Sequence, residues 1–159
     1  MECTNNCSTC TSTCGRNCPI CNGSSLGVET ATVINLSKKT NINFDNQFYI
    51  CLNPKCKVIY FDENNSNIIE YTDVKVPVWF KSNFMNYVVC YCRNIYLKDV
   101  IKAVFSIDEP TKENIIKFLD KEKMEINCLI NNPISRDCDL LFKNAIEYAL
   151  DLKNKQEGK

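Results

Sequence analysis

The apolar rhythm of the chain changes twice. Residues 1–17 hold Cys, Thr, Ser, Asn and Gly with almost nothing apolar, so this stretch cannot bury a core and is expected to lack fixed structure unless a metal orders it. From Cys18 onward the chain is β-rich: Val28–Ile34, Gln47–Cys51 and Lys57–Phe61 read as strands, because β-branched and aromatic residues are concentrated in them. Ile69, Tyr71, Val74, Val76 and Val78 alternate through a further extended stretch over Ile68–Phe80. After Cys90-Tyr91-Cys92 the period becomes helical. Leu97, Val100, Ile101, Val104 and Phe105 share one side of a helix for which Asn94 is the candidate cap, an amphipathic arrangement. Thr111 starts a second helix, with Ile115, Ile116 and Leu119 inward. Ser135 or Asp137 caps a third, in which Leu140, Leu141, Ala145, Ile146 and Ala149 face the core and Cys138 lies in the first turn. The pattern predicts an α+β chain: a Cys-rich tail over 1–17, a small β-rich module over 18–86 and a small helical module over 87–153. Trp79 and Phe80 are expected to form packing surface between the modules.

Twelve cysteines and no histidine sharpen this picture. Without histidine there is no Rieske-type, mixed Cys/His zinc or haem-His ligation and no histidine acid-base chemistry. Any metal is held by sulfur, with a carboxylate at most. The N-terminus lacks the basic start and apolar run of a signal peptide, and no later stretch is long and apolar enough to span a membrane, so a cytoplasmic location is expected. In that reducing compartment clustered cysteines are more often ligands than disulfides. Lys+Arg and Asp+Glu number 19 each, and a neutral chain without a basic stripe argues against nucleic acid or an anionic membrane as partner.

Three groups of cysteines follow. Cys18-Pro19-Ile20-Cys21-Asn22-Gly23 is a knuckle in which Pro fixes the turn and Gly23 is placed where φ turns positive. Cys51-Leu52-Asn53-Pro54-Lys55-Cys56 is a second knuckle, and Asn-Pro turn chemistry presents its thiols from a hairpin tip. Two such pairs flanking a β-rich interval suit a tetrahedral structural zinc site. So small a module buries little apolar surface, and zinc binding supplies folding energy of about 10–16 kcal/mol in such sites. Cys90 and Cys92, at i and i+2, cannot readily close a disulfide on each other. With Cys128, expected in a loop, and Cys138 they give the four thiolates of a 2Fe-2S cluster. Cys92 just before one helix and Cys138 in the first turn of another would bring helix N-termini to an anionic centre. The same four would also serve a single ferric or zinc ion.

Cys3, Cys7, Cys10 and Cys14 form the third group. Their heptad-like spacing would align them on one helix face, but Ser, Thr, Asn and Gly are poor helix formers. Cys3-x3-Cys7-x2-Cys10 also matches the radical-SAM cluster spacing, for which the chain leaves no room for the barrel. A flexible thiol-rich tail and a further site for a soft metal such as Cu(I) are the two expectations.

At Cys18-Pro19-x-Cys21, Phe48-Tyr49-x-Cys51-x4-Cys56-x-Val58-x-Tyr60-Phe61, Val89-Cys90-Tyr91-Cys92 and Asn132-Pro133-x-x-Arg136-x-Cys138, together with Cys128, the chain resembles the iron-sulfur/zinc domain of CopZ-type copper chaperones, which also occurs free-standing. Its helical half is similar to bacterioferritin-associated ferredoxin. The resemblance implies zinc on Cys18, Cys21, Cys51 and Cys56, and a 2Fe-2S cluster on Cys90, Cys92, Cys128 and Cys138. The family often has Gly where Ser135 stands and Cys where Asp137 stands. Its chaperones continue into a copper-binding domain with a Met-x-Cys-x-x-Cys loop, which this sequence does not contain, so the redox half of the family's role is the part expected here. The expected function is one-electron transfer, or reduction and handling of a metal ion such as copper, by a carrier rather than an enzyme. A redox partner protein or a metal ion would receive the electron. The alternatives are a metallochaperone or metal sensor acting through the N-terminal cysteines, and a structural adaptor. Nothing in the sequence sets the oligomeric state.

Overall fold

The computed structural model describes residues 16–43, 45–81 and 87–158. The architecture is mixed α+β and packs as two compact units. The first comprises the chain up to Val76 together with Pro133–Ser135, and the second comprises Pro77–Asn132 and the chain from Arg136 onward. Trp79 thus falls in the second unit, where it packs against that unit's core. Cys3, Cys7, Cys10 and Cys14 lie outside the described residues.

The first unit is built on an antiparallel sheet of β1 (Ser25–Val28), β2 (Phe48–Cys51), β3 (Val58–Asp62) and β4 (Ile68–Glu70), in that spatial order. Every residue of β3 is buried, as an inner strand covered on both faces should be. Val33, Phe48, Ile50, Ile59, Tyr60 and Ile69 have no exposed surface. Asp62, also fully buried, is tolerated because its carboxylate accepts from Asn46 Nδ2 at 2.6 Å, Ser66 Oγ at 2.7 Å, Asn67 Nδ2 at 2.8 Å and Asn67 N at 3.1 Å. Burial alone would raise this acid, but the four donors hold it down at about 2. The charge is thereby fixed at the tight turn between β3 and β4.

Two parts of the predicted β structure are different. The stretch Val28–Ile34 is not one strand: β1 ends at Val28 and Thr30–Leu36 forms helix α1. Thr30, Thr32, Val33 and Ile34 favour strands intrinsically, yet Thr32, Val33 and Leu36 are buried whereas Ile34 is 37% exposed. That spacing of three to four is a helix period, and packing overrides propensity. Ile68–Phe80 is extended only over β4; Tyr71–Asp73 is a 3-10 turn, and Val74 returns to the sheet region through a single bridge with Ser37. Ser135 does not cap the last helix. It sits in the first unit at φ 54°, where its hydroxyl accepts from Glu29 N at 2.9 Å and meets Thr32 Oγ1 at 2.8 Å. Tyr60 Oη donates to the Pro133 carbonyl at 2.9 Å in the same unit.

The second unit begins with a hairpin, β5 (Val88–Cys90) and β6 (Ile95–Tyr96), and continues into α2 (Leu97–Ser106), α3 (Lys112–Phe118), the one-turn α4 (Cys128–Asn131) and α5 (Asp139–Glu157). Val100, Ala103, Val104, Ile115, Leu141, Phe142, Ala145 and Ala149 make its core. Thr111 caps α3 as expected, its Oγ1 accepting from Asn114 N at 3.2 Å. Asn94 does not cap α2. It adopts φ 50° in the β5–β6 turn, and Tyr96 precedes the helix with its N–H on Asp99 Oδ2 at 2.9 Å. Phe105, placed on the apolar side of its helix by the sequence, is 37% exposed, and Leu140, placed inward, is 67% exposed. Among the described residues no helix is long and apolar enough to cross a membrane.

Candidate metal centres

The first centre follows from strand pairing. The first knuckle runs directly into β1, the second leaves β2 at Cys51, and antiparallel register sets Ser25 opposite Cys51. Leu52 N also donates to the Ser24 carbonyl at 3.0 Å. Both knuckles therefore open at one end of the sheet. Cys18, Cys21, Cys51 and Cys56 converge there with all four sulfurs within 4.8 Å of one another, Cys21 and Cys51 being 3.6 Å apart. Two thiolates on one tetrahedral ion with bonds of about 2.3 Å stand about 3.8 Å apart, so the donor set fits zinc. Cys18 is 1% and Cys51 0% exposed, which suits a closed structural site without a substrate position.

The turn chemistry is local. Asn53 Oδ1 accepts from Lys55 N at 3.0 Å and Asn53 O from Cys56 N at 3.2 Å, an Asx turn that aims Cys56 back at Cys51. In the first knuckle Asn22, not Gly23, takes the left-handed conformation, at φ 55°. Gly23 serves a different purpose: a Cβ there would stand close against the site, 3.2 Å from Cys21 Sγ and 3.3 Å from Asn53 Cβ. Without it, the Gly23 N–H reaches Cys21 Sγ at 3.4 Å. That hydrogen bond holds the Cys21 thiol down at about 6, helped by Asn53, Cys56 and Cys51 against desolvation. Burial pushes Cys56 up. A dication would draw all four to the thiolate form.

The second centre is in the second unit. Cys90 ends β5, Cys92 sits in the turn to β6, Cys128 opens α4 rather than lying in a loop, and Cys138 is the residue before α5 rather than within its first turn. Only Cys138 therefore meets the start of a long helix; Arg93, Asn94 and β6 separate Cys92 from α2. Asp137 supports the start of α5, its Oδ1 accepting from Asp139 N at 3.0 Å. Cys92 and Cys128 are 3.8 Å apart, sulfur to sulfur. The hydrogen bond from Cys138 holds Cys90 down at about 6 against burial, assisted by the Arg93 N–H and guanidinium and by the Cys92 N–H. The same bond to Cys90, with burial, pushes Cys138 up. Asn131 Nδ2 donates to Cys92 Sγ at 3.7 Å.

The four sulfurs are neighbours, but they do not form a group within 4.8 Å of one another as the first four do. The thiols instead follow one another from Cys90 through Cys138 and Cys128 to Cys92, and four thiolates spread over more than one ion's reach are a donor set that fits a 2Fe-2S cluster, in which each iron takes two. Sequence reasoning did not single out Asn131, Arg93 or Lys121 here. Lys121 Nζ donates to the Arg93 and Asn94 carbonyls, each at 2.8 Å, and fixes the turn that carries Cys92. A polar residue touching a candidate ligand is the only sequence signal available, and it covers Arg93 alone.

Residues 15–75 match a CopZ-type family model described as a zinc binding domain. This segment contains both knuckles, and the β-rich unit is a zinc-binding module. In three dimensions the chain is similar to the X-ray structure of the N-terminal domain of CopZ from Archaeoglobus fulgidus, with a TM-score of 0.59 and 24% identity over 80% of this chain and 95% of that one. No curated protein matches the sequence.

Proposed function

We propose that the protein is a one-electron carrier or metal-ion reductant, with zinc on Cys18, Cys21, Cys51 and Cys56 and a 2Fe-2S cluster on Cys90, Cys92, Cys128 and Cys138. The observation that carries this reading is the difference between the two sulfur sets. One is tight and all-round, within 4.8 Å; the other is a broader row from Cys90 through Cys138 and Cys128 to Cys92, with Cys92 and Cys128 at 3.8 Å. A bound 2Fe-2S cluster supplies reversible one-electron chemistry. The chain's own residues shape its surroundings. Cys92 and Arg93 direct backbone N–H groups at Cys90 Sγ, Tyr91 N–H meets Cys138 Sγ, and Asn131 donates to Cys92 Sγ. Such N–H···S bonds favour thiolate over thiol and tune a centre's potential. Cys128 remains half-exposed, which leaves that edge of the centre open to a partner or a metal ion. Reduction with dithionite should bleach the visible absorbance of anaerobically purified protein, and reoxidation should restore it. Colour that does not respond reversibly contradicts electron transfer.

A second reading rests on the thiols in front of Arg16. Cys3, Cys7, Cys10 and Cys14 make the chain a candidate metallochaperone or sensor for a soft ion such as Cu(I), in keeping with the likeness to a CopZ domain. Removal of residues 1–15 is then expected to abolish binding of one Cu(I) per chain and to leave zinc and iron contents unchanged, as read by anaerobic Cu(I) titration with metal analysis. Unchanged Cu(I) stoichiometry contradicts it.

A further inference from the structure

A buried cation, Arg93, directly follows Cys92 in the helical unit. Arg93 is 8% exposed, and its Nε is buried without a hydrogen-bond partner among the described residues. Among the same residues the ion pairs are made by lysines, and no carboxylate pairs with Arg93. A guanidinium does not deprotonate in proteins, so it cannot escape burial by becoming neutral. An uncompensated buried charge costs several kcal/mol, and arginines are almost never buried without a partner.

Arg93 directly follows Cys92, its backbone N–H donates to Cys90 Sγ, and its guanidinium charge lies within electrostatic reach of that sulfur. Lys121 holds the Arg93 and Asn94 carbonyls at 2.8 Å, so the turn presenting Arg93 is fixed. Two lysines are also near, and both are occupied: Lys121 by those carbonyls, and Lys112 by Asp139 and the Phe142 ring over which it lies. The choice of side chain is also informative. Of the 19 basic residues only Arg16, Arg93 and Arg136 are arginine, and two of these three stand within two positions of a cysteine of this centre.

We infer that Arg93 is the built-in counter-charge of the Cys90, Cys92, Cys128 and Cys138 centre, a positioning and tuning residue that raises its reduction potential. The inference rests on the 2Fe-2S reading. Two ferric ions, two sulfides and four thiolates sum to a charge of −2, and one added electron makes it −3. A fixed positive charge stabilises the reduced form more than the oxidised one, and because arginine does not titrate, its contribution is constant with pH.

The test uses the full-length protein, purified without oxygen, and its Arg93→Gln and Arg93→Lys variants. Iron and sulfide are counted, and the potential is read by redox titration of the visible absorbance. Arg93→Gln is expected to keep its cluster and to shift the reduction equilibrium roughly tenfold against reduction, about 59 mV for a one-electron couple. Arg93→Lys should recover most of that shift. A fully loaded Arg93→Gln variant with the wild-type potential overturns the inference, as does a lysine variant shifted as far as the glutamine one. If Arg93→Gln does not hold the cluster, retention by Arg93→Lys supports the counter-charge, and loss from both overturns it in favour of a purely structural guanidinium. Wild-type protein without iron and sulfide refutes the 2Fe-2S reading itself, a failure distinct from any of these.

Discussion

Cys56→Ala is expected to release the zinc and unfold the β-rich unit. The cysteine is half-buried at the hairpin tip, so truncating it leaves little cavity and the loss is essentially that of the metal. A structural zinc contributes about 10–16 kcal/mol of apparent binding energy, which equals or exceeds the total stability of about 5–15 kcal/mol usual for a domain. Without zinc, Asp62 and its donors, Phe48, Ile50 and Tyr60 remain buried only in a sheet whose knuckle end is no longer tied. Zinc content should fall from one per chain to near zero, and the β signature in circular dichroism should be lost at room temperature. A variant that folds normally without zinc would show that the sheet is self-sufficient.

Cys92→Ala is expected to remove iron and sulfide altogether while zinc stays bound. A cluster ligand is not replaced by a methyl group, and the remaining thiols of Cys90, Cys128 and Cys138 leave one iron short of a donor. Cys92 belongs to the same buried cluster as Val100, Val104, Ile115, Phe142 and Ala145, but the substitution removes only its sulfur and leaves those side chains in place, so helicity should largely survive. The visible absorbance would vanish, with zinc analysis unchanged. Retention of full iron content in this variant would remove Cys92 from the ligand set.

The knuckles were legible in the sequence because their chemistry is local: cysteine spacing, Pro19, and Asn53-Pro54 closing an Asx turn act within six residues. The antiparallel pairing that unites them was legible only as two strands with thiols at their ends. Where the sequence misled, tertiary packing had decided. Val28–Ile34 reads as a strand by composition, yet from Thr30 to Leu36 the chain folds as a helix that buries Thr32, Val33 and Leu36. Gly23 looks like a residue chosen for a positive φ, but Asn22 takes that conformation and Gly23 makes room beside Cys21 Sγ. Leu140 shares the apolar character of Leu141 but points outward at 67% exposure, because the start of α5 follows Cys138 and not the apolar pattern. Arg93 could not be found as a buried charge at all, since burial of a single turn residue depends on elements distant in sequence, such as the segment after α3 that carries Lys121.

The most direct test of the two-centre account is a count of zinc, iron and acid-labile sulfide on one sample of full-length protein purified without oxygen. The account predicts one zinc, two irons and two sulfides per chain. Zinc alone, without sulfide or colour, would contradict it and leave Cys90, Cys92, Cys128 and Cys138 to another metal or to none.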